Sequence, residues 1–232
     1  MYIGNITGSP ATRGTDKYDC TGTLVQADAI PPGTGDNTTG LSGYATNIYT
    51  VGNTIYFNSN GKLSNKVAAT DQKTIVDSGR EKNISKIISS PNKFNDDRLV
   101  FLSSTLKDQR LLSGTPNVTL DLSVLNRRAA NITIVIVEYL SNGSNKIITR
   151  GWADPQNFKN ISSGELLDPD KRYKFSFDLE PKQYLISKGS KIGVVLTSTD
   201  YHYTIRPKSG TKIQFNLGEN TYIKLNLSTA SN

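Results

Sequence analysis

The chain has 232 residues, 35% of them hydrophobic, and a formal net charge of +7. That length buries a core without help from metal or disulfide, and a single cysteine, Cys20, excludes an intramolecular disulfide and a thiolate metal cluster. No charged-then-apolar leader follows Met1 and no apolar run approaches roughly 18 residues, so a soluble chain without signal peptide or membrane span is expected.

In chain order, the first fifty or so residues are rich in Gly, Thr, Asn and Asp, and Pro31-Pro32-Gly33-Thr34-Gly35-Asp36 is a strong loop signal. Residues 1–53 are expected to form an irregular extension or the remnant of a preceding region, with a short strand near Gly22 to Gln26; residues 54–232 form the domain proper. From Thr54 onward the dominant period is two. Val118, Leu120, Leu122 and Val124 alternate with Thr119, Asp121 and Ser123, the pattern of a strand with one face on a core and one in water. Tyr173, Phe175 and Phe177 alternate with Lys174, Ser176 and Asp178 in the same way, as do Ile213, Phe215 and Leu217 with Gln214 and Asn216, and Ile223, Leu225 and Leu227 with Lys224 and Asn226. By contrast Ile132 to Val137 is apolar at nearly every position and mostly β-branched, which predicts a central strand covered on both sides.

Turn chemistry separates these segments. Asn60-Gly61, Asn142-Gly143, Lys188-Gly189 and Ser209-Gly210 place glycine where positive φ is expected, and Pro91, Pro116, Pro169 and Pro181 stand at segment edges. Helix is scarce, with room for a turn or two between Asp77 and Ser89. Many short strands divided by such turns predict an all-β fold, a jelly-roll β-sandwich, because two amphipathic sheets bury their apolar faces only against each other.

The search for chemistry is brief. His202 is the single histidine, and Asp200 would share its face if the local backbone were extended, but no Gly-x-Ser-x-Gly nucleophile elbow accompanies them. A partly exposed His202 at a strand end is the preferred reading, and no catalytic residue is assigned. Cys20 and His202 share no ligand spacing, and Asp96-Asp97 and Asp168/Asp170 lack the oxygen-rich loop of a calcium site, so no metal or cofactor is expected. The positive balance raises nucleic acid as a partner. Arg127-Arg128, Lys171-Arg172 and Lys188 with Lys191 are small clusters near turns rather than a basic stripe, so a solvated surface is expected and no nucleic-acid partner. Trp152, the single tryptophan, is read as a core or interface anchor, with a sugar-stacking platform as the other option. Arg150, Tyr201, His202 and Tyr203 join it as candidate interface or ligand contacts.

The ordered punctuation of the chain carries a resemblance. Asp97-Arg98-Leu99-Val100-Phe101, Leu112-Ser113-Gly114-Thr115-Pro116, Thr149-Arg150-Gly151-Trp152, Phe177-Asp178-Leu179-Glu180-Pro181, Ile186-Ser187-Lys188-Gly189-Ser190-Lys191-Ile192 and Thr197-Ser198-Thr199-Asp200-Tyr201 follow one another as in the C-terminal β-domain of the Xaa-Pro dipeptidyl-peptidase family of serine peptidases, which includes cocaine-esterase-like acyl hydrolases. With Ile55-Tyr56-Phe57 and Asn60-Gly61-Lys62-Leu63-Ser64, the resemblance covers roughly Thr54 to Leu227. It implies a jelly roll of galactose-binding-domain-like type that packs on an α/β-hydrolase catalytic domain. No position here matches that domain's catalytic Ser, Asp and His, so the expectation is a non-catalytic accessory domain, inactive alone, from a fragment of a longer peptidase. A bacterial cytoplasmic setting is expected, with a cell-surface or secreted one left open. A carbohydrate- or cell-surface-binding jelly-roll module is the alternative, and a homo-oligomer stays open.

Overall fold

The structure, a computed structural model, describes residues 17–18, 24–25, 53–77, 82–205 and 208–229. The chain divides into two units, Met1–Gly43 and Tyr44–Asn232. In the first, β1 (Lys17–Tyr18) pairs antiparallel with β2 (Leu24–Val25), inside the stretch where a short strand is expected. The proline-rich loop and Cys20 lie outside the described residues.

In the second unit, short alternating segments become strands and their Gly-containing junctions become turns. The order is β3 (Asn53–Phe57), β4 (Leu63–Ser64), β5 (Asp71–Val76), α1 (Ile84–Ile88), β6 (Arg98–Leu102), β7 (Arg110–Gly114), β8 (Asn117–Val124), β9 (Ile132–Tyr139), β10 (Asn145–Ala153), β11 (Arg172–Asp178), β12 (Lys182–Ile186), β13 (Lys191–Thr197), β14 (Lys212–Leu217), β15 (Tyr222–Leu225) and β16 (Leu227–Thr229). They form a four-stranded sheet β10-β9-β13-β6, a seven-stranded sheet β4-β3-β15-β8-β14-β5 with β11 on the free side of β8, and a three-stranded sheet β12-β7-β16. Every strand pairing is antiparallel. The β9 to β10 hairpin shows why the turn glycine is needed: Gly143 sits at φ +85, its N–H donates to Leu140 O at 3.0 Å, and Leu140 N donates to Ser144 O at 2.9 Å.

This is an all-β sandwich, and its layering explains the composition of β9. Ile132, Ile134 and Ile136, with Val194 and Leu196 of β13, enter the main core alongside Phe57, Phe101, Leu120, Leu122 and Phe215. The opposite face, Val135, Val137, Tyr139 and Val195, packs under Ile84, Ile87 and Ile88 of α1. A strand with apolar partners on both faces needs apolar residues at successive positions. The helix that covers it is short. Asn83 caps it, with its side-chain oxygen accepting from Ser85 N at 2.9 Å, and it ends where Ser89 turns extended. Arg98, on β6, donates to the carbonyls of Ile87, Ser89, Ser90 and Lys93, satisfying groups that a helix end leaves open. Burial, the main influence on this guanidinium, pulls its pKa down from the ordinary arginine range.

The expectation of solvent-facing polar positions is corrected in β8 and at Asn216 of β14, which is buried as well. The polar face of β8 is not in water: Thr119, Asp121 and Ser123 are buried like the apolar residues between them. β8 lies inside its sheet, with β11 along one edge and β14 and β15 sharing the other. Side chains of those neighbours close over it, Ser176 Oγ lying 2.7 Å from Thr119 Oγ1 and Arg172 donating to Asp121. Alternation reports which positions are polar, and hydrogen bonding lets polar positions be buried. In β11 the alternation does separate core from solvent, with Tyr173 buried and Arg172 and Lys174 exposed.

Candidate functional site

The site grows from the end of β10. A register shift between Ile147 and Thr149 changes which positions of the strand face outward. Before it Ile147 opposes Val137; after it Arg150 opposes Val135 and Trp152 opposes Thr133, so Arg150 and Trp152 join the face that α1 partly covers. The rest of that face is topped by residues 200–205. Here the backbone folds into a turn: Tyr203 N and Thr204 N donate to Asp200 O at 2.8 and 2.9 Å, and Asp200 N donates to Thr204 Oγ1 at 3.1 Å.

That turn lays Tyr203 on Trp152, ring centroids 5.5 Å apart at 18°. The Arg150 guanidinium carbon lies 4.6 Å from the Tyr203 centroid, and Arg150 Nη1 donates to Asp200 Oδ2 at 2.8 Å. Asp200 is fully buried and its Oδ1 has no hydrogen-bond partner among the described residues, so Arg150 carries its charge compensation. Tyr201 and His202 stand on the outer side of the turn, rings edge to face at 5.2 Å. Arg150, Trp152 and Tyr203 therefore meet on one face, and Tyr201 and His202 are exposed on the turn that carries Tyr203. The extended geometry that would have put Asp200 beside His202 is absent, because turn hydrogen bonds bend the segment and Arg150 takes the carboxylate. What the arrangement does chemically is hold an aromatic surface in one shape: Tyr203, 62% exposed, lies over a half-buried Trp152, with the Arg150 guanidinium beside its ring and Tyr201, 38% exposed, on the same turn.

The other punctuations are junctions between sheets. Glu180 N donates to Arg150 O at 2.8 Å, Thr149 Oγ1 to Glu180 O at 2.6 Å, and Leu179 N to Pro116 O at 2.8 Å, so three of the motifs meet at one corner. Gly151 permits the approach: a Cβ there would lie 2.8 Å from Leu179 Cα and 3.0 Å from Asp178 O. Thr197 Oγ1 donates to Asp97 O at 2.9 Å, and Ser198 Oγ and Thr199 Oγ1 donate to Asp77 Oδ2 at 2.8 and 3.0 Å. The carboxylates of Asp97 and Asp168 are engaged by Lys82 and Lys171.

Sequence reasoning passed over Glu138. This buried carboxylate near the end of β9 accepts from Ser187 N and Ser190 Oγ, both 2.8 Å from Oε1, and from Tyr184 Oη, 2.7 Å from Oε2. Burial by itself would push the carboxyl up, but the donors from Ser187, Tyr184 and Ser190 hold it below its ordinary value. Burial, together with the bond to Glu138, pushes the Tyr184 phenol up to about 12. The available signal was a lone acid inside an apolar run. Among the described residues no helix is long and apolar enough to cross a membrane.

Comparison with known proteins places this architecture. The profile described as X-Pro dipeptidyl-peptidase C-terminal non-catalytic domain matches residues 10–231, a span that begins well before Thr54. A protein of Bacillus anthracis provisionally named Xaa-Pro dipeptidyl-peptidase is 37% identical over 148 residues, covering 64% of this chain and 24% of that protein. The Xaa-Pro dipeptidyl-peptidase of Lactobacillus helveticus is 39% identical over 79 residues, 34% of this chain and 10% of that one. The chain thus spans about a quarter of the length of the Bacillus relatives it matches. Among solved structures, an aminopeptidase from a marine sediment thaumarchaeote superposes with a TM-score of 0.62 at 15% identity, over 76% of this chain and 36% of that one. A CocE/NonD family hydrolase from Staphylococcus aureus gives 0.57 at 13%, over 75% and 36%, and these two likenesses speak to fold alone. The chain belongs to the X-Pro dipeptidyl-peptidase C-terminal non-catalytic domain family.

Proposed function

We propose that this domain is the accessory module of a serine hydrolase that releases Xaa-Pro dipeptides from peptide N-termini, and that an α/β-hydrolase catalytic domain of the same polypeptide packs against it. The observation that carries the reading is the family match over residues 10–231 in a chain that spans a quarter of its Bacillus relatives. The module supplies interdomain packing and a wall of the substrate cleft, and acyl transfer belongs to the catalytic domain. Its docking face is the 200–205 turn over β10. Tyr201, His202 and Tyr203 present the contact, and Trp152 and Arg150 brace it from beneath, so aromatic area is offered with little conformational entropy left to lose. The sandwich is taken as a jelly roll of galactose-binding type, and a bacterial cytoplasm suits the single Cys20. A sugar platform on Trp152 is disfavoured, because Tyr203 covers one face of the indole.

Incubated alone with a Xaa-Pro chromogenic substrate, the chain gives no turnover; turnover that disappears on His202→Ala overturns the reading. Mixed with the Bacillus anthracis relative lacking its matching segment, the chain binds, and Tyr203→Ser weakens binding at least roughly tenfold, a loss of about 1.4 kcal/mol.

A further inference from the structure

The outer face of the seven-stranded sheet carries a second constellation that no sequence motif marks. β14 and β15 share one edge of β8 in succession, Ile213 to Phe215 pairing with Val124 to Leu122 and Tyr222 to Lys224 with Thr119 to Asn117. Between them, across residues 216–221, the chain leaves that edge, with Gly218 at φ +147 and an isolated bridge from Gly218 to Thr221. The excursion borders a cleft of about 560 Å³ lined by Gln72, Asp121, Arg172, Asn216, Glu219 and Asn220, among others. Breaks in strand pairing of this kind re-aim side chains, which is why they gather beside binding sites.

The floor is built from buried polar groups. Asp121, 4% exposed, accepts from Arg172 Nε at 3.1 Å and also from its Nη2, and from Asn216 Nδ2 at 3.0 Å; Asn216 Oδ1 accepts from Gln72 Nε2 at 2.9 Å. Thr221 Oγ1 bonds both Asp121 N and Asn216 O, at 3.2 and 2.6 Å, and pins the excursion to β8. This array is satisfied and charge-compensated, so it needs no ligand to hold its shape, which is the preorganisation a binding site requires.

The lining also sorts ligand classes. Arg172 neutralises Asp121 and Lys73 lies 3.0 Å from Asp71, which leaves too little free oxygen charge to cage a metal ion. Glu219, the lining carboxylate with no basic partner among the described residues, disfavours a phosphate. Leu217 is the single apolar residue of the lining and its side chain belongs to the main core, which leaves nothing like the side-chain pockets that recognise an extended peptide. Arg172 Nη1 and Asn220 Nδ2 as donors stand beside Gln72 Oε1 and the Glu219 carboxylate as acceptors, none of them committed to a described residue. A sugar hydroxyl donates and accepts at once and matches that mixture. We propose that this cleft binds a neutral saccharide. With no aromatic platform, the affinity is weak, on the order of millimolar.

Amide NMR of the intact chain tests this, with maltotriose and triacetylchitotriose as probes and a neutral glycine-serine hexapeptide as competitor class. The expected result is saturable shifts from a saccharide centred on Asp121, Arg172, Asn216 and Asn220, weakened at least about tenfold by Glu219→Ala combined with Asn220→Ala. Both substitutions are on exposed positions, so the rest of the spectrum stays unchanged. The proposal is overturned if neither saccharide shifts these amides at roughly 20 mM, some twenty times the expected dissociation constant. Shifts centred on Trp152 and Tyr203, a stronger response to the peptide, or full binding by the double variant overturn it too. Docking to a hydrolase domain plays no part in this readout, so either proposal can fail alone.

Discussion

Replacing Glu138 tests whether a buried acid, rather than the apolar strand around it, fixes the β12 to β13 connection. Glu138 is 1% exposed and accepts three hydrogen bonds, two on Oε1 and one on Oε2. Glu138→Leu keeps the volume but strands Ser187 N–H and the Ser190 hydroxyl, since the Tyr184 hydroxyl is half-buried and can turn to water. At about 1–3 kcal/mol for each of the two donors left unpaired, the loss is about 2–6 kcal/mol, or about 4–24 °C in melting temperature for a domain of this size. Glu138→Gln preserves the Oε1 acceptor and exchanges charged for neutral bonds, which costs about 1–2 kcal/mol. Because the donors depress the carboxyl's folded-state pKa, its contribution is fully present above the unfolded value of about 4.3 and is lost as pH falls through the lower folded value. Urea unfolding at a series of pH values measures this. The gap between native chain and Glu138→Gln should hold constant from about pH 7 to 5.5 and shrink below about 4.3. A gap unchanged down to about pH 3, or a glutamine variant as stable as the native chain at neutral pH, refutes the reasoning.

Two further perturbations address the corner where the motifs meet. Gly151→Ala places a methyl 2.8 Å from the Leu179 Cα and should destabilise by about 2–3 kcal/mol in thermal denaturation. Leu179→Ala should not rescue it, because the closest atom belongs to the backbone; full rescue would place the clash in the side chain instead. Arg150→Met leaves the buried Asp200 carboxylate without compensation and should cost about 3–5 kcal/mol. Adding Asp200→Asn should restore more than half of that loss in a double-mutant cycle, and additive losses would show that the pair is not coupled.

Sequence alone determined the class of fold and the family, and particular residues show why. The glycines at Asn60-Gly61, Asn142-Gly143, Lys188-Gly189 and Ser209-Gly210 all adopt positive φ, between 74° and 85°, because turn geometry is set by a few adjacent residues. The apolar run at β9 is buried throughout because its composition leaves no face fit for water. Trp152, Arg150, Tyr201, His202 and Tyr203 were visible as a set only through their motifs; that Tyr203 stacks on Trp152 and Arg150 holds Asp200 was not. Those contacts depend on a one-residue register shift in β10 and on a turn 50 positions along the chain from Arg150, and neither leaves a periodic trace. The same limit hid the buried polar face of β8 and the cleft beside it. Local geometry and alternation are written along the chain, so the sequence states which positions can be strand, turn or core. Which strand lies beside which, and what closes over a polar face, follows from hydrogen bonds between residues far apart in sequence, and these exist only once the sheets have assembled.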